Sequence, residues 1–254
     1  MPKTIVMIHG AFAGGWCFEN FAGALTGQGW TCHAPALRYH ETGPTRVPDP
    51  RLATTSIADY TADMAAFVAG LEEKPVILGH SMGGIIAQQL AAKGLARALV
   101  LLASGAPWGI LPASDEERAV ATGLMAAGAF WTRALNPCFP VAAKDSLANL
   151  DPDSQRRIFE RLGPESGRAL FELFFWMFDK HRTTDVDASN VTCPVLVITG
   201  AADKVISPMT GGRIAELYGG RAAFHVAPGQ GHFLLLEPGW EELARHCSGW
   251  LEKA

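Results

Sequence analysis

Between an apolar run at Pro75–Leu78 and a helix-forming segment that begins at Met82 stands the string Gly79-His80-Ser81-Met82-Gly83, followed by Gly84. At a strand-to-helix turn this string has the form of a nucleophile elbow: glycines make room for a sharp bend, and the serine is held strained with its hydroxyl exposed. The N-terminus of the following helix aims free N–H groups at the same spot and favours negative charge there. A serine hydroxyl is a weak nucleophile at neutral pH, so it needs a base and a group that orients the base. Asp203 follows the apolar run Val195–Thr199, and His232 follows Ala222–Val226. If these runs are strands of one parallel sheet, the loops after them open on one edge, and Ser81, His232 and Asp203 converge as nucleophile, base and orienting acid. The backbone N–H groups of Ala11, just past the run Thr4–Ile8, and of Met82 are the expected pair that would receive an oxyanion. The chemistry this set can do is attack on a carbonyl, an acyl-enzyme, and release by water.

Rival assignments are weaker. His225 falls inside a strand and reads as a core histidine; His80 sits within the elbow; His33, His40, His181 and His246 have no motif around them. Asp115, Asp185 and Asp187 do not directly follow a strand, and no carboxylate stands at Ser104 to Ala106. The Gly-rich stretch at Gly10 to Gly15 lacks Gly-x-Gly-x-x-Gly, no Walker string occurs, and Cys, His, Asp and Glu show no metal spacing, so neither cofactor nor metal is expected.

The elements that must position these residues follow from period. Short apolar runs at Thr4–Ile8, Thr31–Ala36, Pro75–Leu78, Ala98–Ala103, Val195–Thr199 and Ala222–Val226 alternate with helical segments near 18–28, 56–72, 82–93, 208–218 and 239–252. That alternation predicts an α/β fold with a mostly parallel six-stranded sheet, its strands buried on both faces under helices. Ser56, with Asp59 three residues on, is the expected N-cap of the second helix, and Pro208 suits the first turn of the fourth. The 84 residues 107–190 have helical composition and no convincing strand, yet hold ten of the chain's twenty Phe and Trp residues. They read as a helical lid inserted after the fourth strand, within one domain whose core is 1–106 and 191–254. Its rings either fill a buried helix or also line an apolar pocket, with Phe12, Trp131, Phe175 and Phe233 the candidate pocket residues. Residues 38–55 read as a long surface loop near a binding site.

Composition excludes several partners. With 254 residues, 48% hydrophobic and 18% charged, and a net charge of −4 without long like-charge runs, the chain offers no footprint for nucleic acid or an anionic membrane. No apolar stretch reads as a bilayer span or a cleaved secretory signal, so cytoplasmic localisation is expected. Five scattered cysteines suit a reducing compartment, and the sequon at Asn190 carries no weight without a secretory signal.

These motifs together resemble the α/β-hydrolase superfamily, whose triad runs in the chain order Ser, Asp, His. His9-Gly10, the elbow, Asp203 and Gly231-His232-Phe233 fall where that family places its oxyanion loop, nucleophile, acid and base. The segment His9-Gly10-Ala11-Phe12-Ala13-Gly14-Gly15-Trp16 is similar to a small branch that contains plant methyl-salicylate-type esterases and hydroxynitrile lyases. The resemblance implies six core strands, a helical lid, and a serine carboxylesterase acting on a small or medium, largely apolar ester. Lyases of the branch carry Thr where this chain has Gly10 and Lys where it has Phe233; without that cation near a departing cyanide, the lyase reaction is disfavoured. Ser81 likewise disfavours the epoxide hydrolases and dehalogenases, which use Asp at the elbow. Thioester, lactone or carbon–carbon hydrolysis, a perhydrolase, and a slow-turnover ligand-binding receptor stay open as alternatives, as does a homodimer.

Overall fold

The computed structural model describes residues 3–40 and 47–254. Six parallel strands, β1 (Thr4–Ile8), β2 (Thr31–His33), β3 (Val76–His80), β4 (Ala98–Leu102), β7 (Val195–Gly200) and β8 (Ala222–Ala227), lie in the order β2-β1-β3-β4-β7-β8. The order reverses between β1 and β3, so the crevice beyond their carboxyl ends is the place where such a sheet offers a site. His9 to Phe12 and the Ser81 turn both leave the sheet there.

Alternation along the strands divides the core. Ile5, Met7, Val76, Leu78, Val100 and Ile198 face one side, under α1 (Glu19–Thr26) and α9 (Trp240–Leu251). Val6, Ile8, Ile77, Leu99, Leu101 and Val197 face the other, under α2 (Ile57–Ala69), α3 (Met82–Ala92) and α8 (Pro208–Tyr218). Ser56 and Asp59 form a capping box at the start of α2, and Pro208 opens α8 behind the N-cap Ser207, as the sequence predicts.

The outer strands depart from the expected two-sided burial. Along β8, Ala223, Phe224 and Val226 are exposed, and along β2 Thr31 is exposed, because an edge strand has a neighbour on one side only. His225 is therefore not a core residue: it is half-buried, and its ring stacks on His246 at 4.2 Å.

Between β4 and β7 run α4 (Asp115–Met125), α5 (Phe139–Lys144), α6 (Pro152–Arg161) and α7 (Gly167–Phe174). The expectation of no strand in this stretch is corrected by a two-residue antiparallel pair, β5 (Ala134–Leu135) with β6 (Glu165–Ser166). A pair that short leaves no period in the sequence to detect. Of the loop expected at 38–55, residues 41–46 lie outside the described residues; Pro50–Thr54 form a 3-10 turn capped by the Asp49 side chain. Among the described residues no helix is long and apolar enough to cross a membrane.

Candidate active site

β3 runs directly into α3 with Ser81 as the hinge at φ 53° and ψ −122°, a backbone conformation costly for a residue with a side chain. The surrounding glycines explain why the hinge closes. A Cβ on Gly79 would collide with the Gly83 carbonyl, one on Gly83 with the carbonyls of Ile8 and His9, and one on Gly84 with the Ser104 hydroxyl. The bend thus wedges α3 against the end of β1, and Ser81 is left 9% exposed at the switch point.

The loops after β7 and β8 bring the other two residues to it. Asp203 Oδ1 accepts the N–H groups of Val205 (2.8 Å) and Ile206 (2.9 Å), which fixes the carboxylate plane. Its Oδ2 lies 3.0 Å from His232 Nδ1. A carboxylate can only accept, so the proton sits on Nδ1 and the lone pair on Nε2. That Nε2 lies 3.1 Å from Ser81 Oγ, within reach of its proton. Asp203 and His232 are 6% and 5% exposed, so the relay runs through a nearly dry site.

His80 supports His232 from behind. Its Nε2–H donates to the His232 carbonyl at 2.9 Å, while the buried Nδ1 has no partner among the described residues. Burial, reinforced by His232, pushes the His80 pKa down to about 3, so the ring stays neutral. Phe233 is 4% exposed with its ring 5.3 Å from His80 and 6.0 Å from His232.

Gly10 abuts Ser81: a Cβ there would lie 2.7 Å from Ser81 Cβ. The Ala11 N–H that follows has no acceptor among the described residues, and Met82 N–H precedes the first intrahelical bond of α3. The loop is held in shape from below. His9, buried and with its pKa lowered to about 4 by desolvation and then by His40, accepts the Leu37 N–H on Nε2 (3.0 Å) and donates Nδ1–H to the Gly10 carbonyl (2.9 Å).

Beside the acid loop lies a cavity of ≈ 40 Å³ lined by Ile110, Leu173, Phe174, Trp176, Val205 and Ile206 among others. Its lining includes the buried Glu117 and Thr210 but not Ser81, Ala11 or His232; Leu173, which does line it, packs against Gly105, whose N–H donates to the Ser81 carbonyl at 2.8 Å. Trp131 and Phe175 do not line it; they cluster with Phe130 and Phe171 at ring separations of 5.4 to 6.0 Å. Phe12 packs at the rim of the core with its N–H turned toward Glu165.

The motifs gave no sign of a set of buried carboxylates. Glu117 accepts from the Ser207 N–H and Thr210 hydroxyl, Glu172 from Ser56 and Ile57, and Glu165 from Tyr60. Glu237 accepts from Gly231 N–H and from Asn149, and burial holds its pKa above the ordinary range. Only Glu117 had a local signal, as the third residue after the cap Ser114.

The sequence profile of the alpha/beta hydrolase family, as that family is described, matches residues 5–246. Among curated proteins the chain is similar to the pyrethroid hydrolase of Sphingobium wenxiniae, 34% identical over 87 residues that cover 34% of this chain and 30% of that protein. It is also similar to methylesterase 18 of Arabidopsis thaliana, 33% identical over 81 residues that cover 31% of this chain and 29% of that one. Among solved structures, the monoacylglycerol lipase of Paleococcus ferrophilus superposes with a TM-score of 0.72 at 22% identity, over 99% of this chain and 95% of that one, a likeness of fold.

Proposed function

Since the chain belongs to the alpha/beta hydrolase family, we propose that it is a serine hydrolase that cleaves a small or medium, largely apolar carboxylic ester, thioester or lactone. Ser81 attacks the carbonyl as His232 Nε2 takes its proton. Asp203 holds the imidazole and stabilises the imidazolium, and the N–H groups of Ala11 and Met82 receive the oxyanion. His232 then protonates the leaving alcohol, and the same base activates the water that releases the acid. The observation that carries this reading is the unbroken relay from Asp203 through His232 to Ser81 Oγ, with steps of 3.0 and 3.1 Å, on a strained elbow. The relatives named as a pyrethroid hydrolase and a methylesterase agree with an ester. The close approach of Gly10 to Ser81 and the apolar Phe233 favour hydrolysis over cyanohydrin cleavage. In this reading residues 107–190 are a cover over the site, inside the same domain as 1–106 and 191–254.

A fluorophosphonate probe is expected to label Ser81, and Ser81→Ala to lower hydrolysis of short p-nitrophenyl esters at least about 10³-fold with its melting temperature retained. Parent-level hydrolysis by that variant overturns the assignment. Labelling without turnover on a series of acyl lengths points instead to a ligand-binding protein.

A further inference from the structure

The loop that carries Ala11 is not held by its own strand alone. Phe12 has φ 63°, a conformation that persists in a residue with a side chain only where its surroundings impose it. Both of its peptide groups are tied to the segment between α6 and α7. The Phe12 N–H donates to Glu165 Oε2 at 3.2 Å, and the Phe12 carbonyl accepts the Gly163 N–H at 2.9 Å. The Phe12 N–H belongs to the peptide that follows Ala11, so its direction and that of the Ala11 N–H differ only by the Ala11 backbone torsions.

Glu165 is itself over-determined. Its side chain is fully buried, and each oxygen accepts from two donors: Oε1 from the Tyr60 hydroxyl and the Ser166 N–H, both at 2.7 Å, and Oε2 from His40 Nε2 and the Phe12 N–H, both at 3.2 Å. His40 Nδ1 faces the Arg38 carbonyl at 3.0 Å, so both ring nitrogens of His40 point at acceptors. Burial disfavours the Glu165 charge, but His40 and the hydrogen bonds from His40, Tyr60 and Ser166 outweigh it and hold the carboxyl below its ordinary range.

We propose that Glu165 is a positioning residue for the oxyanion loop: by clamping the Phe12 N–H, together with Gly163 on the Phe12 carbonyl, it sets the direction of the Ala11 N–H toward Ser81. The inference rests on the reading that Ala11 and Met82 receive the oxyanion. It means that the stretch 163–166 is a strut that must be docked for the site to be complete, and any movement of a cover belongs to the residues on either side of it.

The test pairs steady-state hydrolysis of a p-nitrophenyl ester with binding of a trifluoromethyl ketone, which forms a tetrahedral adduct on a reactive serine and so reads the oxyanion hole directly. In Glu165→Gln one acceptor oxygen becomes a donor NH2, which cannot serve all four partners. We expect kcat and ketone affinity to fall together by about 10- to 100-fold while KM stays within about two-fold, the pattern of a displaced transition-state contact. A purely structural role would lower the melting temperature and leave both readouts unchanged in the folded protein, which overturns the proposal. If Glu165→Gln does not fold, Tyr60→Phe decides, because it keeps the ring and removes one donor to Oε1. A fall of several-fold in both readouts supports the clamp, and wild-type values overturn it. A wild-type protein inert to ester and ketone alike overturns the hydrolase reading and the clamp with it; a reactive wild type with unaffected variants overturns the clamp alone.

Discussion

Asp203 divides its oxygens between backbone and side chain: Oδ1 is held by two backbone N–H groups and Oδ2 by His232. In Asp203→Asn the amide oxygen must stay on the side of Val205 and Ile206, because both are donors, so the NH2 turns toward His232. The imidazole then has to accept on Nδ1 and carry its proton on Nε2, where it can no longer take the proton of Ser81. We expect kcat to fall by about 10⁴-fold with little change in melting temperature, measured on a p-nitrophenyl ester and by a thermal scan. An Asp203→Asn enzyme with more than a tenth of parent activity would contradict the assigned orientation. Ser81, Asp203 and His232 are all legible in the sequence for one reason. Each sits in the turn or loop that follows a strand, where local residue types, chiefly glycine, report the backbone they require. His40 and Glu165 carry no such mark. They lie 125 positions apart and meet only after the sheet has formed.

At the scale of elements, the segment between β4 and β7 is fastened to the core by buried carboxylates rather than by apolar packing alone. Glu172 on α7 accepts from the Ser56 hydroxyl (2.8 and 2.9 Å) and the Ile57 N–H (2.8 Å), so one helix completes the N-terminal cap of another. Arg168 pairs with Glu172 from one turn earlier at 2.6 Å. Glu172→Ala strands a buried backbone donor and a hydroxyl and is expected to cost about 2–3 kcal/mol in urea unfolding. The accompanying loss of amide protection should concentrate in α2 and α7, and a global ΔΔG under about 0.5 kcal/mol would show that water replaces the carboxylate freely. The capping box of α2 was readable from Ser56 and Asp59, since a cap is written within four residues. The third partner came from 116 residues away, and no local pattern announces it.

Over the whole molecule, two buried neutral histidines link stability to pH. His9 and His80 titrate at about 4 and about 3 in the folded chain, against 6.5 for a free side chain. As pH falls below 6.5 the unfolded chain binds protons that the folded one refuses, so stability is lost from pH 6.5 downward toward 4. Each histidine contributes a slope of up to about 1.4 kcal/mol per pH unit in that window. Glu165, held below its ordinary 4.5, adds a further loss as pH drops beneath that value. Denaturant unfolding between pH 7.5 and 5 should therefore show a decline set by the two histidines and partly offset by Glu237, whose raised pKa lets the folded chain take up that proton first. A flat profile that persists in Glu237→Gln would mean that one or both rings are protonated in the fold.

The sequence by itself determined the parallel sheet, the helices on its two faces, the elbow at Ser81 and the loops that bear Asp203 and His232. Those features rest on short-range constraints: strand and helix periods, caps, and the steric demand for glycine at one sharp bend. Only the tertiary structure decided which strands lie at the edge, that His225 stacks on His246 at the surface, that β5 and β6 pair, and that Trp131 and Phe175 pack with each other's neighbours while Leu173, Phe174 and Trp176 line the cavity. It alone brought Glu165 beneath Phe12 and placed His40 against it. The physical reason is desolvation. A buried carboxylate is tolerable only when several donors converge on it, and that convergence is a property of the packed chain, with no trace in the residues on either side.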